Sequence, residues 1–97
     1  MSSNLLDEKL TLFSKTLMKL HTVDEIKSFL EDLLTKSEQN DISTRIIIAE
    51  MLNKNIPYSQ IQRETGASSA TIAKVSDNFK YGKDGYKLAI ERLNKSK

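Results

Sequence analysis

Residues Arg63 to Gly82 read RETGASSATIAKVSDNFKYG, where a glycine and a serine separate two segments with a helical pattern. Gly66 suits the left-handed residue that ends a helix, and Ser68 suits the cap of the next helix. Two short helices joined by a tight turn are typical of a helix-turn-helix, in which the first helix braces the second. The stretch therefore predicts a helix-turn-helix over residues 57–81, with Pro57 in its first turn.

The apolar residues around Gly66 have the spacing that this motif requires. They lie five residues before the glycine, at Ile61, and six and nine residues after it, at Ile72 and Val75. With successive residues about 100° apart around the helix axis, one face of the second helix of the motif is apolar. The opposite, outward face carries small and charged residues: Ala70, Ala73, Lys74 and Asp77.

The rest of the chain also predicts helices, with no alternating strand pattern and no repeat. The first helix has a continuous apolar stripe, and Thr22 with Glu25 forms a capping box before the second. The segment SEQNDIS, residues 37–43, breaks the helical pattern, and the helix that follows is apolar on nearly all sides, which predicts a central position. The six predicted helices cover residues 4–20, 23–34, 44–54, 57–65, 69–81 and 84–95.

Length predicts one domain over residues 1–97, and a chain this short buries only a modest core. Residues 4–52 and 84–95 are expected to form the core and dimerisation helices around the helix-turn-helix. The first helix has apolar residues on two adjacent stripes, more than so small a chain can cover. This excess favours a partner chain.

The net charge of +2 is unevenly divided along the chain. Residues 1–52 contain six Lys and Arg against nine Asp and Glu, whereas residues 53–97 contain nine against four, which gives −3 and +5. A basic half that contains the helix-turn-helix favours a polyanionic partner. The alternative is that these charges are simply the solvated faces of helices.

Several other classes of protein are not expected. The chain has no cysteine, which excludes disulfides and zinc-thiolate sites and is typical of an intracellular protein. Acidic residues near the N-terminus do not fit a signal peptide, and the longest apolar run, Ile46–Ala49, is too short for a bilayer. We therefore expect a cytoplasmic protein with no membrane partner.

Enzymatic activity and metal binding are not expected either. His21 is the only histidine and lies at a helix end, where it favours the helix dipole rather than catalysis. A single histidine is not enough for a metal site. The acidic residues of predicted helix 23–34 flank the apolar stripe of that helix and are interpreted as its solvent-exposed face. The sequence contains no phosphate-binding glycine loop or nucleophile elbow, so no cofactor is predicted.

Residues Asp41 to Lys80 resemble the Trp repressor family, and within it the Trp-repressor-like proteins of the YerC/YecD type. The most specific parts are STR, residues 43–45, and ETGASSATIAKVSDNFK, residues 64–80. The flanking helices are similar in order and length. The resemblance implies an all-α fold, an intertwined homodimer with six helices per chain, of which the first, second, third and last interlock across the two-fold axis.

The resemblance also implies a place for a small-molecule effector. In the Trp repressor, two arginines flank the bound tryptophan; Arg45 matches the first, and Lys74 stands at the second. A lysine cannot stack as a guanidinium does, and the β-branched Val75 replaces a glycine beside it. Tryptophan is therefore not expected as the corepressor. The alternative for Arg45 is an ion pair with Asp41 or Glu50.

These observations predict a sequence-specific DNA-binding regulator, a repressor that acts as a homodimer on double-stranded DNA. The second helix of the motif would enter the major groove, because small residues allow close approach to base edges. Asp77 counts against this, since a carboxylate beside phosphates is unfavourable unless it pairs with Lys74 or accepts from a cytosine amine. The predicted DNA-binding residues are Gln62, Arg63, Ser69, Ala70, Thr71, Lys74, Lys54 and Lys80.

Two alternatives remain open. One is a repressor that also responds to a small molecule other than tryptophan, bound near Arg45 and Lys74. The other is a protein-interaction module that keeps the helix-turn-helix as a scaffold, which Asp77 and the low net charge favour.

Overall fold

The structure is a computed structural model and describes residues 4–95. Within that range the chain forms six α-helices and no strand, which confirms the all-α prediction. Met1–Ser3, which belong to the N-terminal segment discussed above, and the last two residues of the predicted domain lie outside the described residues. The helices are α1 (Leu5–Met18), α2 (Val23–Leu33), α3 (Lys36–Asn53), α4 (Tyr58–Thr65), α5 (Ser69–Tyr81) and α6 (Gly85–Lys95).

The chain divides into two compact units, one that ends at Gln39 and one that begins at Asn40. The first unit contains α1, α2 and the first residues of α3. The Phe13 and Phe29 rings join α1 to α2, with centroids 6.4 Å apart. Neither helix contains a buried residue, so the apolar stripes predicted for them are only partly covered in the single chain.

The Thr22 cap forms as predicted, but the Glu25 side chain does not return the bond to Thr22. The Glu25 amide donates to the Thr22 hydroxyl at 3.0 Å, as a capping box requires. The Glu25 carboxylate accepts instead from the amide of His21, at 2.7 Å, one residue before the cap. The second helix therefore begins where the sequence indicates, and His21 serves its start through the backbone.

The predicted break over residues 37–43 is wrong, because α3 begins at Lys36 and runs through SEQNDIS without interruption. A second capping box starts it: the Glu38 amide donates to the Thr35 hydroxyl at 3.1 Å, and the Glu38 carboxylate accepts from the Thr35 amide at 2.9 Å. These two bonds satisfy amides that a helix start otherwise leaves unpaired. A polar segment can therefore continue as helix without an apolar stripe.

The second unit has its own hydrophobic core. Each of its four helices contributes to it, and the buried residues are Ile48, Ala49, Met51, Ile61, Ile72, Val75 and Ile90. The helix α3 supplies three of these residues, Ile48, Ala49 and Met51, but it is not covered on nearly all sides, because Ile46 and Ile47 remain exposed. The core therefore covers one face of α3, and the face with Ile46 and Ile47 is exposed to solvent in the single chain.

A left-handed asparagine sets the connection from α3 to α4. Asn55 has φ 61°, its amide donates to the Leu52 carbonyl at 3.0 Å, and the Ile56 amide donates to the Met51 carbonyl at 3.1 Å. These two bonds form a Schellman motif, and Ile56 packs against the core. The chain is thereby fixed just before Pro57, which is the N-cap of α4.

Candidate nucleic-acid interface

The turn between α4 and α5 is built by Gly66, as the sequence predicts. Its φ of 73° lies in the left-handed region, and its amide donates to the Gln62 carbonyl at 2.9 Å. The Thr65 hydroxyl donates to the Ile61 carbonyl at 2.7 Å and accepts from the Ala67 amide at 3.2 Å. The end of α4 and the turn are therefore held by hydrogen bonds within a few residues.

Ser68 caps α5, which confirms the second half of the turn prediction. Its hydroxyl accepts from the Thr71 amide at 3.1 Å and donates to the Thr71 hydroxyl, also at 3.1 Å. The Ile72 amide donates to the Ser68 carbonyl at 3.1 Å, which starts the regular ladder of α5. Thr71 is half-buried, so part of its surface belongs to the turn rather than to the outward face.

The three apolar residues that the spacing predicts to be buried lie at the contact between α4 and α5. Ile61 of α4 and Ile72 and Val75 of α5 are all buried. Burial of side chains from both helices in one core excludes water between them and holds them together. The helix-turn-helix is therefore a packed pair.

The outward face of α5 is open, as predicted. Its exposed residues are Ser69, Ala70, Ala73, Lys74 and Asp77. Lys74 and Asp77 lie three residues apart, yet they form no ion pair in the described part of the chain, whereas Lys87 and Asp84 pair at 3.8 Å. Both charges on this face are therefore available to a partner.

The other predicted DNA-binding residues lie in the same unit. Gln62 and Arg63 are exposed on α4, Lys54 is exposed in the turn after α3, and Lys80 is exposed near the end of α5. Lys54, Arg63 and Lys80 form no ion pair among residues 4–95. With Lys74, four of the predicted DNA-binding residues are therefore cations without an ion pair in the described part of the chain.

One hydrogen bond of the motif is not predicted from the sequence pattern. The hydroxyl groups of Tyr58, the first residue of α4, and Ser76 of α5 form a hydrogen bond. Ser76 is 3% exposed, four residues after Ile72 and next to Val75. The helical period of α5 therefore places it on the buried face, but nothing in the sequence identifies Tyr58 as its partner.

A cleft of about 290 Å³ lies between the first part of α3 in this unit and the turn. Arg45 lines it, as the prediction of an effector pocket requires, but Lys74 does not; the cleft reaches only Thr71, one turn earlier. Arg45 forms no hydrogen bond or ion pair with Asp41 or Glu50, so the structural alternative for Arg45 is not formed here. The lining residues are Asn40, Asp41, Thr44, Arg45, Thr65, Gly66, Ala67, Ser68 and Thr71.

Among residues 4–95, no three His, Asp or Glu side chains are grouped so that they could hold a metal ion. None of the described helices has the length and apolar character needed to cross a bilayer.

Comparisons with known proteins agree on one family. The model of the family described as Trp repressor protein matches residues 8–94. The uncharacterised protein YerC of Bacillus subtilis strain 168 is 35% identical over 81 residues, which are 84% of this chain and 78% of YerC. A Trp operon repressor homolog of Actinobacillus succinogenes is 35% identical over 69 residues, 70% of this chain and 68% of that protein.

The architecture has a close counterpart among solved structures. The crystal structure of a protein proposed to be a Trp repressor, from Staphylococcus aureus, matches with a TM-score of 0.85 and 29% identity, and the match covers 96% of both chains. The six-helix Trp-repressor-like fold and the resemblance drawn from residues 41–80 are thereby confirmed.

Proposed function

This chain belongs to the Trp repressor family of DNA-binding regulators, and from that premise we propose that it is a sequence-specific transcriptional repressor that acts as a homodimer. The observation that carries the proposal is the asymmetry of α5. One face is buried against α4, and the other presents small residues and an unpaired lysine to solvent.

The open face of α5 has the chemistry of direct base readout. Ala70 and Ala73 leave room for the helix to approach base edges and offer methyl groups to thymine methyls. Ser69 and Thr71 have hydroxyls that can meet bases or phosphates at the helix N-terminus, where anions are favoured. Lys74 matches the acceptors of guanine. We therefore assign the first half of α5 to the major groove.

The remaining cations are assigned to the phosphate backbone. Lys54, Arg63 and Lys80 are exposed and unpaired in the described chain, and Gln62 lies beside Arg63 on the bracing helix. Phosphate contacts fix the register of a protein on DNA and carry no sequence information directly. These residues are expected to contribute affinity, whereas the first half of α5 contributes specificity.

The homodimer is supported by the open apolar surface of α1 and α2. Leu6 is 72% exposed and Val23 is 73% exposed, and both belong to the apolar stripes of helices with no buried residue. A surface of this kind is costly in water and marks an interaction site. We propose that a second copy covers it, with residues 4–52 and 84–95 forming one joint core.

The dimer can be tested by a charge placed in the stripe. Leu10→Glu in α1 is expected to lower the mass measured by light scattering from that of a dimer to that of a monomer. Lys15→Glu, an exposed change outside the stripe of the same helix, should leave the dimer intact. A Leu10→Glu protein that remains dimeric would assign dimerisation to another surface.

The DNA-binding proposal is tested by selecting genomic fragments with the purified protein and measuring their affinity by gel shift. Lys74→Glu is expected to abolish the shift, because a carboxylate faces the negative potential of DNA. Lys15→Glu makes the same charge change on α1 and should bind normally. The circular dichroism and dimer mass of both variants should match those of the wild type. Unchanged affinity for Lys74→Glu would remove α5 from the interface.

Two further outcomes distinguish the alternatives. The logarithm of affinity should fall with the logarithm of salt concentration by about 0.9 for each neutralised phosphate. If the selection enriches no sequence, the protein-interaction module is favoured over the repressor.

The cleft beside Arg45 supports a second candidate, an effector-responsive repressor. Its volume of about 290 Å³ is near the lower end for small-molecule pockets, and Arg45 is its one unpaired guanidinium. The ligand would be a small anion or zwitterion other than tryptophan. A thermal-shift screen of amino acids and metabolites should find a compound that stabilises the wild type and Arg63→Ala but not Arg45→Ala. Stabilisation that survives Arg45→Ala would place the ligand elsewhere.

A further inference from the structure

Ser76 is the only buried polar residue in the described chain. Its hydroxyl bonds to the hydroxyl of Tyr58, 18 residues earlier in the sequence. A buried hydroxyl without a partner costs free energy, which explains why Ser76 is paired. This cost does not explain why residue 76 has a hydroxyl, because alanine would also fit on a buried helix face between Ile72 and Phe79.

The location of the bond suggests what it does. Gly66 joins the end of α4 to the start of α5 through the backbone, whereas Tyr58 lies at the start of α4 and Ser76 lies in the second half of α5. The two helices are therefore tied at both ends of α4. Contacts among Ile61, Ile72 and Val75 hold the pair together but are non-directional, whereas a hydrogen bond weakens steeply when its angle changes.

We propose that Tyr58 and Ser76 are positioning residues, whose bond sets the angle of α5 against α4 and so aims the first turn of α5 at the bases. This inference rests on the proposed function, because it concerns the helix assigned to the major groove. Neither residue needs to touch DNA to act in this way. The bond should therefore affect specific binding more than non-specific binding.

Removing either hydroxyl should leave the protein folded. In Tyr58→Phe, the Ser76 hydroxyl can bond to the carbonyl four residues earlier in α5. In Ser76→Ala, the Tyr58 hydroxyl can bond to water, because Tyr58 is 46% exposed. Tyr86→Phe is a matched control, since Tyr86 belongs to the same unit and forms no hydrogen bond in the described chain.

The binding test measures the Kd of each protein for the selected operator and for a random duplex, by fluorescence anisotropy. Tyr58→Phe and Ser76→Ala should each lose about 3- to 10-fold for the operator, the range of one hydrogen bond. For the random duplex the change should be less than about twofold, because no charge is altered. The double variant should lose no more than either single one, since all three lack the same bond.

An equal loss for operator and random duplex would overturn the proposal, and so would unchanged operator affinity. A second measurement needs no DNA: residual dipolar couplings give the angle between α4 and α5 in solution. The angle should change in Tyr58→Phe and Ser76→Ala and stay constant in Tyr86→Phe. An unchanged angle overturns the positioning role, whereas a wild type that binds no sequence overturns the proposed function instead.

Discussion

Replacing Gly66 by alanine is expected to lower the free energy of unfolding by about 1 kcal/mol. The φ of Gly66 is 73°, and a Cβ added there would have no heavy atom within 4 Å, so no clash contributes. An L residue in the left-handed region costs about 1–2 kcal/mol. Alanine also lowers the conformational entropy of the unfolded chain, which raises the free energy of unfolding by about 0.4–1 kcal/mol and offsets part of this cost. The difference corresponds to a fall in Tm of about 4–8 °C for a domain of this size.

Urea denaturation followed by circular dichroism measures this change, with all proteins at one concentration because a dimer's stability depends on it. Gly66→Asn is the matched control and should lose less, since asparagine tolerates the left-handed region better than alanine. A loss above about 3 kcal/mol would mean that the added Cβ meets other atoms. A gain in stability would mean that residue 66 is not left-handed in solution.

Three other substitutions are predicted from the same structure and can be measured by the same denaturation. Gly82→Ala should cost more than Gly66→Ala, about 2–3 kcal/mol, because its Cβ would lie 2.4 Å from the backbone oxygen of Asn78. Ile72→Ala removes a fully buried side chain and should cost about 2–5 kcal/mol; a smaller loss would mean that the core closes around the cavity. Thr35→Ala should cost about 1 kcal/mol through the lost cap of α3, and an unchanged midpoint would show that Thr35 does not cap it.

The helix-turn-helix could be predicted from the sequence because its signals are local. Gly66 and Ser68 end and start helices through their own backbone and side-chain chemistry, and their neighbours cannot easily override this. The apolar positions Ile61, Ile72 and Val75 followed from the spacing that the motif requires around its glycine. All of these residues lie within nine positions of Gly66 in the sequence.

The start of α3 could not be predicted from periodicity, because residues 37–43 are almost entirely polar. A helix segment without an apolar stripe gives no periodic signal, so the pattern appears broken where the helix continues. The available signal was the pair Thr35 and Glu38, which has the capping-box spacing already recognised at Thr22. Asn55 is similar: a left-handed asparagine is indicated only by its place after a helix and before a proline.

The candidate site shows a different limit. The exposed face of α5 followed from the helical period, but the bond between Tyr58 and Ser76 joins residues 18 positions apart. Helical periodicity places Ser76 on the buried face and says nothing about its partner on another helix. The cleft beside Arg45 likewise depends on how α3 and the turn meet, and helical periodicity does not indicate that it reaches Thr71 and not Lys74.

The two units differ in what their sequences specify. The second unit buries seven apolar residues in its own core, so the apolar pattern of its helices is satisfied within the chain. The stripes of α1 and α2 have the same periodic signal, yet these helices bury no residue. Periodicity therefore indicates that a face is apolar but not what covers it.

Because the helix-turn-helix lies wholly in the unit with the core, changes that weaken a dimer through α1 should leave the local geometry of α4 and α5 intact. Loss of operator binding by such variants would then reflect loss of the paired half-sites, about 34 Å apart, rather than a damaged recognition helix.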